Sequence, residues 1–91
     1  MPSILILLGY RVYFWVDDYK EPIHVQIGKG RPKGNDTKIW ITSYGGTLLA
    51  HNKGRIPKKD LKRLLRMIEI YTNDIYNEWV ELFGEEPKFY C

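Results

Sequence analysis

The stretch Thr37-Lys38-Ile39-Trp40-Ile41-Thr42-Ser43-Tyr44-Gly45-Gly46-Thr47-Leu48-Leu49-Ala50-His51 decides the fold. Its first half is rich in the β-branched and aromatic residues that suit a pleated surface. Tyr44-Gly45-Gly46 then reads as a hairpin turn, because glycine reaches positive backbone torsions without steric cost. The pattern predicts strands over Thr37 to Ser43 and Thr47 to His51, antiparallel and joined directly. So short a connection makes a meander and rules out a βαβ crossover, which needs a dozen or more residues.

Toward the N-terminus the period of two continues. After Pro22, Ile23, Val25 and Ile27 alternate with His24 and Gln26, which predicts a strand with His24 and Gln26 together on its less apolar face. Arg11 to Val16 alternates likewise, with Val12, Phe14 and Val16 on one face and Arg11, Tyr13 and Trp15 on the other. Ile4 to Leu8 is a continuous apolar run closed by Gly9 and reads as a buried strand. Between the strands, Asp17 to Pro22 is polar, and the segment from Gly28 to Asp36 is a loop interrupted by glycines and a proline.

Toward the C-terminus the period changes. From Pro57, a residue suited to a first helical turn, Leu61, Leu64, Leu65, Ile68, Tyr71, Ile75, Trp79, Leu82 and Phe83 recur at three-and-four spacing, and Gly84 supplies a stop. The stripe fits one long helix, or two helices with a break near Thr72 capped by Asn73. The expected architecture is a single α+β domain over residues 1–91: an antiparallel, meander-like sheet of about four to five strands in a strand-rich 1–52, packed against one long or broken C-terminal helix in 57–83, with a short tail, 84–91.

A chain of 91 residues is one small domain, and 44% hydrophobic with 27% charged residues is a globular composition. The only cysteine is Cys91, so no intrachain disulfide forms and cytoplasm is the default compartment. The apolar run Ile4 to Leu8 falls far short of the roughly 20 residues of a spanning helix. Two histidines, a terminal cysteine and scattered carboxylates lack the spacing of a zinc site, and no calcium loop, G-x-S-x-G elbow or internal cysteine nucleophile is present. No metal, cofactor or membrane partner is expected.

Charge is strongly segregated along the helical region. Lys53, Arg55, Lys58, Lys59, Lys62, Arg63 and Arg66 face a single carboxylate, Asp60, whereas Glu69, Asp74, Glu78, Glu81, Glu85 and Glu86 follow. That order opposes the helix dipole of one continuous helix, so helix stability does not select it. At about 100° per residue, Lys58, Lys59, Lys62, Arg63 and Arg66 lie away from the apolar stripe and form a candidate binding patch for an acidic protein or a phosphate backbone. The competing reading is a merely solvated face. Lys29, Arg31 and Lys33 add positive charge in a glycine-rich loop, but its spacing matches neither phosphate-binding fingerprint.

His24 is the best single candidate for chemistry, since imidazole titrates near neutral pH, and with Gln26 and Trp40 it completes the set of candidate binding residues. His51 ends a strand with no motif around it. Met1-Pro2, Leu8-Gly9-Tyr10, Glu21-Pro22-Ile23-His24-Val25-Gln26, Lys29-Gly30, Lys38-Ile39-Trp40-Ile41, Ile56-Pro57-Lys58-Lys59-Asp60-Leu61, and Trp79 with Phe83-Gly84 together resemble a short, mostly bacterial family of unknown function, number four-one-six-zero. Members of that family carry a D-x-x-x-P-x-H-x-H-like signature. Here Gln26 stands at the second histidine, and an amide hydrogen-bonds but neither transfers protons nor binds metals well.

The resemblance implies a small cognate partner, in the manner of a toxin-antitoxin-like pair, and no settled activity. The favoured expectation is a non-enzymatic module that binds a small protein, and RNA or DNA through the basic helix start, with Trp15 and Trp40 as exposed aromatics. The alternative is a small metal-independent endoribonuclease-like toxin that uses His24, helped by Tyr13 or Tyr19. The two edges of a meander leave a homodimer open as well.

Overall fold

The computed structural model describes residues 3–15, 17–32 and 34–91. Five strands, β1 (Ser3–Leu7), β2 (Tyr10–Tyr13), β3 (His24–Gly28), β4 (Thr37–Ile41) and β5 (Thr47–His51), form one antiparallel sheet whose order is that of the chain. Two helices follow, α1 (Lys58–Ile70) and α2 (Thr72–Phe83). The meander announced by Gly45-Gly46 is therefore the architecture, with Gly45 at φ 82°. The β1–β2 turn uses two consecutive positive-φ residues, Leu8 (52°) and Gly9 (80°), a pattern that matches the right-handed twist of flanking strands. Met1, Pro2, Val16 and Lys33 lie outside the described residues, and with them the expected strand position of Val16 and the loop cation Lys33.

One sheet face carries Val12, Phe14, Val25, Ile27, Ile39 and Ile41 against Leu61, Leu64, Ile68, Ile75 and Trp79 from the helices. Trp79 is the largest of these side chains and is 2% exposed. Its ring meets Phe14 edge-on at 5.1 Å and Phe83 at 4.6 Å, so it locks the end of α2 to the sheet. Leu82, expected in the stripe, is exposed instead. Tyr13 departs from the expected outer face of Arg11, Tyr13 and Trp15 in the opposite sense. It is fully buried, and its hydroxyl donates to Asp36 Oδ2 at 2.5 Å. Gly28 makes room for that carboxylate, since a Cβ there would lie 2.4 Å from Asp36 Cγ.

The helical region breaks at Tyr71, one residue before the expected site. Tyr71 (φ −105°, ψ 10°) bonds its N–H to the Ile68 carbonyl at 2.9 Å, three residues back, and its own carbonyl accepts from Ile75 N–H at 2.9 Å to start α2. Asn73 does not cap it and is exposed. Pro57 precedes α1 instead of opening it: its ψ of 140° is extended, and its carbonyl accepts from Leu61 N–H at 2.9 Å. Gly84 ends α2 at φ 75°, the left-handed stop expected of it. Among the described residues, no helix is long and apolar enough to cross a membrane.

After Gly84 the chain turns back across the end of the sheet. Ile23 N–H donates to the Lys88 carbonyl at 2.8 Å and Ser43 N–H to the Cys91 carbonyl at 3.0 Å. Tyr90 stacks on Trp40 with centroids 4.9 Å apart and rings 3° from parallel. Tyr90→Ala is expected to cost about 0.5–1.5 kcal/mol in urea denaturation, the value of such a ring pair, and to shift Trp40 emission to the red as the indole meets water. An unchanged emission would mean that Tyr90 does not cover Trp40.

Candidate functional site

Because Val25 and Ile27 point to the helices, His24 and Gln26 point to the opposite face of the sheet. The register sets out two rows there. Tyr13, Gln26, Lys38 and His51 align across β2 to β5, and His24, Trp40 and Leu48 form the next row. His51 owes its place to an irregularity: Ile39 pairs with Leu49 but Lys38 pairs with His51, so β5 has one extra residue at Ala50. Plain alternation from Leu49 would send His51 to the helix side. The bulge returns it to the face of Gln26.

His24 is fully buried. Its Nδ1 lies 2.8 Å from the Pro22 carbonyl, which can only accept, so Nδ1 carries a proton and donates. Nε2 lies 3.2 Å from Asp18 Oδ2, an ion-pair separation. That approach is off the direction of a hydrogen bond, and Nε2 has no hydrogen-bond partner among the described residues. Asp18, 5% exposed, sits in a short 3₁₀ turn, Asp18–Lys20, and its Oδ2 also accepts from Trp15 N–H at 2.8 Å. The imidazole is enclosed edge-on by Trp40 at 5.5 Å and Trp79 at 5.8 Å.

Trp40 is half-buried, with Tyr90 stacked on it and Lys38 Nζ 4.9 Å from its centroid. The aromatic surface expected at Trp40 is thus partly covered by the chain's own tail. Beside it lies a cavity of about 340 Å³, with Gln26, Asp18 and Trp15 among its lining residues and Lys38, Glu21 and His51 completing much of the rest. Lys38 is paired with Glu21. Gln26 is 9% exposed, and its amide makes no hydrogen bond among the described residues.

Burial, then the charges of Lys53 and Lys38, push the His51 imidazole below its usual value of 6.5. Its Nδ1 accepts from Lys53 N–H at 3.3 Å, which the neutral ring alone can do. Below pH 6.5 the unfolded chain takes up a proton that the folded chain resists. The stability contributed by neutral His51 is therefore complete above that pH and is lost as pH falls through the folded value. His51→Gln is expected to flatten the acid limb of the urea midpoint against pH relative to wild type. Parallel limbs would show that His51 is not held neutral.

The basic residues are elsewhere. Lys58, Lys59, Lys62, Arg63 and Arg66 are all exposed on α1, on the helix side of the sheet, and none is in an ion pair among the described residues. Asp60, the one carboxylate within their run, instead accepts from Tyr10 Oη at 3.1 Å. Burial and that carboxylate push the Tyr10 hydroxyl above its usual range. Lys29 and Arg31 stay in the β3–β4 loop, with Lys29 Nζ 4.9 Å from the Tyr10 ring centroid. The structure thus brings together His24, Gln26 and Trp40, and separately the five α1 cations. It adds Asp18, Trp15, Lys38 and His51 to the first group. Strand alternation could have paired Lys38 with Trp40, whereas the contact of Asp18 with His24 and the bulge at Ala50 leave no local signal.

The family model described as Domain of unknown function (DUF4160) matches residues 9–80. That span runs from β2 through most of α2. The chain belongs to this family. No curated protein and no solved structure matches the chain. The DUF4160 span takes in Asp18, His24, Gln26, Lys38, His51 and the α1 cations, while Tyr90 and the rest of the returning tail lie beyond it.

Proposed function

We propose that this chain is a non-enzymatic interaction module that binds a small cognate protein with an acidic surface, as one member of a toxin-antitoxin-like pair, with nucleic acid reached through the same basic face. The observation that carries this reading is the patch on α1, where five cations are exposed, adjacent and unpaired among the described residues. Within their run the sequence provides one carboxylate, Asp60, and Tyr10 engages it. Such a field raises association rates and selects partners of opposite sign more than it adds affinity. The break also places Asp74 in the first turn of α2, where a carboxylate is favourable, while Lys58 and Lys59 remain at the unfavourable start of α1. Helix stability accounts for Asp74 and not for the cations at the start of α1.

The endoribonuclease alternative gains no observation of its own. His24 is enclosed, with Nδ1 committed to a backbone carbonyl, and the Tyr13 hydroxyl is committed to Asp36. A general base must reach the proton it removes. Lys62→Glu with Arg66→Glu is expected to leave folding stability within about 0.5 kcal/mol, as exposed substitutions do, while abolishing capture of the partner. The test is affinity capture from native lysate, with and without nuclease. One small acidic protein retained by the wild type after nuclease, released by salt and absent from the double variant supports the proposal. Equal capture by both chains would count against it.

A further inference from the structure

The sheet ends at β5, and among the described residues no strand pairs with its outer edge. Thr42 N–H donates to the Gly46 carbonyl at 3.0 Å, which fixes the phase of the β4–β5 ladder. Hydrogen-bonded pairs recur every second residue, at Thr42 with Gly46 and at Trp40 with Leu48, so Thr47 and Leu49 turn their N–H and C=O groups away from β4. Such edges are usually blunted by charge or proline. β5 contains no proline, carboxylate, lysine or arginine, and its bulge at Ala50 lies beyond these two residues. Unlike β3 and β4 it has no buried residue, and Leu48 and Leu49 are exposed, Leu48 opposite Trp40 on the open face and Leu49 opposite Ile39 on the helix face. α1 runs beside this edge. Thr47 Oγ1 lies 3.3 Å from both the Leu65 carbonyl and Glu69 Oε2, whereas Asp60 faces Tyr10 of β2. At about 100° per residue, Lys58 and Lys62 share the side of the helix that carries Leu65 and Glu69. The outer edge of β5 is therefore bordered by cations from the first two turns of α1 and by Glu69 at its Thr47 end.

We propose that β5 is an edge for strand addition, and that its occupant is an extended acidic segment of the partner protein. The added strand hydrogen-bonds to Thr47 and Leu49, the residues whose backbone groups face outward. Because its side chains alternate, it sets apolar groups beside Leu48 on the open face and carboxylates toward Lys58 and Lys62 on the helix face. The proposal rests on the acidic-partner reading of α1 and names the element of the partner that is held. A second copy of this chain is the poorer occupant: two β5 edges paired about a dyad set two rows of α1 cations side by side, and like charges repel.

The test is an NMR titration of the full chain with a blocked hexapeptide of alternating glutamate and valine. Saturable binding is expected, with a dissociation constant on the order of millimolar for so short a strand. Hydrogen exchange at the Thr47 and Leu49 amides should slow about fivefold when free peptide is at about four times that concentration. N-methylation of the glutamates and of the valines, in separate peptides, should abolish binding in one case and spare it in the other, since only one set of amides meets β5. These probes leave the protein itself unaltered. Lys62→Glu plus Arg66→Glu should weaken binding about tenfold, and a lysine-valine peptide should not bind the wild type. If both N-methylated peptides bind like the parent while the double variant does not bind, strand addition is overturned and the charge reading of α1 stands. Equal slowing at Thr47 and Leu49 with the lysine peptide overturns the acidic occupant. Absence of saturation overturns the proposal, as does a doubled mass without peptide in which the same two amides are protected, since that gives the edge to a second copy.

Discussion

Trp79→Ala is expected to lower the free energy of unfolding by about 3–5 kcal/mol, the range for deleting a large buried ring. The ring is 2% exposed and touches Phe14 after β2, Phe83 at the end of α2, and His24 at the start of β3. These neighbours belong to both layers of the domain, so deleting the ring leaves a cavity between the sheet and α2. A small domain has about 5–15 kcal/mol in total, and the loss would remove much of it. Trp79→Phe, which keeps an aromatic edge, should fall between alanine and the wild type. Urea denaturation measures both, and a loss under about 1 kcal/mol for alanine would mean that α2 is not anchored through this ring.

Asp18→Ala should be the next most damaging change, at about 3 kcal/mol, although the residue is polar and lies in a connecting turn. One carboxylate oxygen accepts the Trp15 N–H and faces the Nε2 of a fully buried histidine. Removing it strands a backbone donor and takes away the carboxylate that faces His24 Nε2. Asp18→Asn keeps an acceptor for Trp15 N–H and should recover part of the loss. If the two residues act as a pair, Asp18→Ala combined with His24→Ala costs less than the sum of the single changes. Strict additivity in denaturation midpoints would refute the pairing.

The strands were legible from the apolar alternation of Arg11 to Val16 and of Ile23 to Ile27 and from the unbroken apolar run Ile4 to Leu8, and the hairpin because Gly45 and Gly46 sit between two strand-like runs. The change of period at Pro57 placed the helical region. What sequence could not resolve depends on events that local pattern does not encode. The apolar stripe runs unbroken through Tyr71, yet the backbone breaks there, and this puts the basic run of α1 and the carboxylates Asp74, Glu78 and Glu81 on different helices. His51 reads as a strand end of no consequence until the extra residue at Ala50 turns it toward Gln26. Tyr13 reads as a surface residue, because period two cannot know that Gly28 leaves room for the Asp36 carboxylate that buries its hydroxyl. The tail shows no periodicity at all, and its stacking on Trp40 is purely tertiary.

His24 illustrates the same limit for function. The signature residues Pro22 and His24 are in direct contact, Nδ1 to carbonyl, and the aspartate at the head of the segment meets the other ring nitrogen. The motif therefore builds a closed structural unit beneath a polar face. Gln26, at the position of the second histidine, lines the cavity together with Asp18 and Glu21 of the same segment. Recognition by hydrogen bonds and charge suits this arrangement better than acid–base chemistry does.

The central claim is that α1 holds a small protein partner by charge. Its most direct test is the native mass of the chain purified from the cells that produce it, compared with that of Lys62→Glu plus Arg66→Glu. The wild type should carry one additional small protein in fixed stoichiometry that the folded double variant lacks. The bare mass for both chains, or the same added mass on both, would contradict the claim.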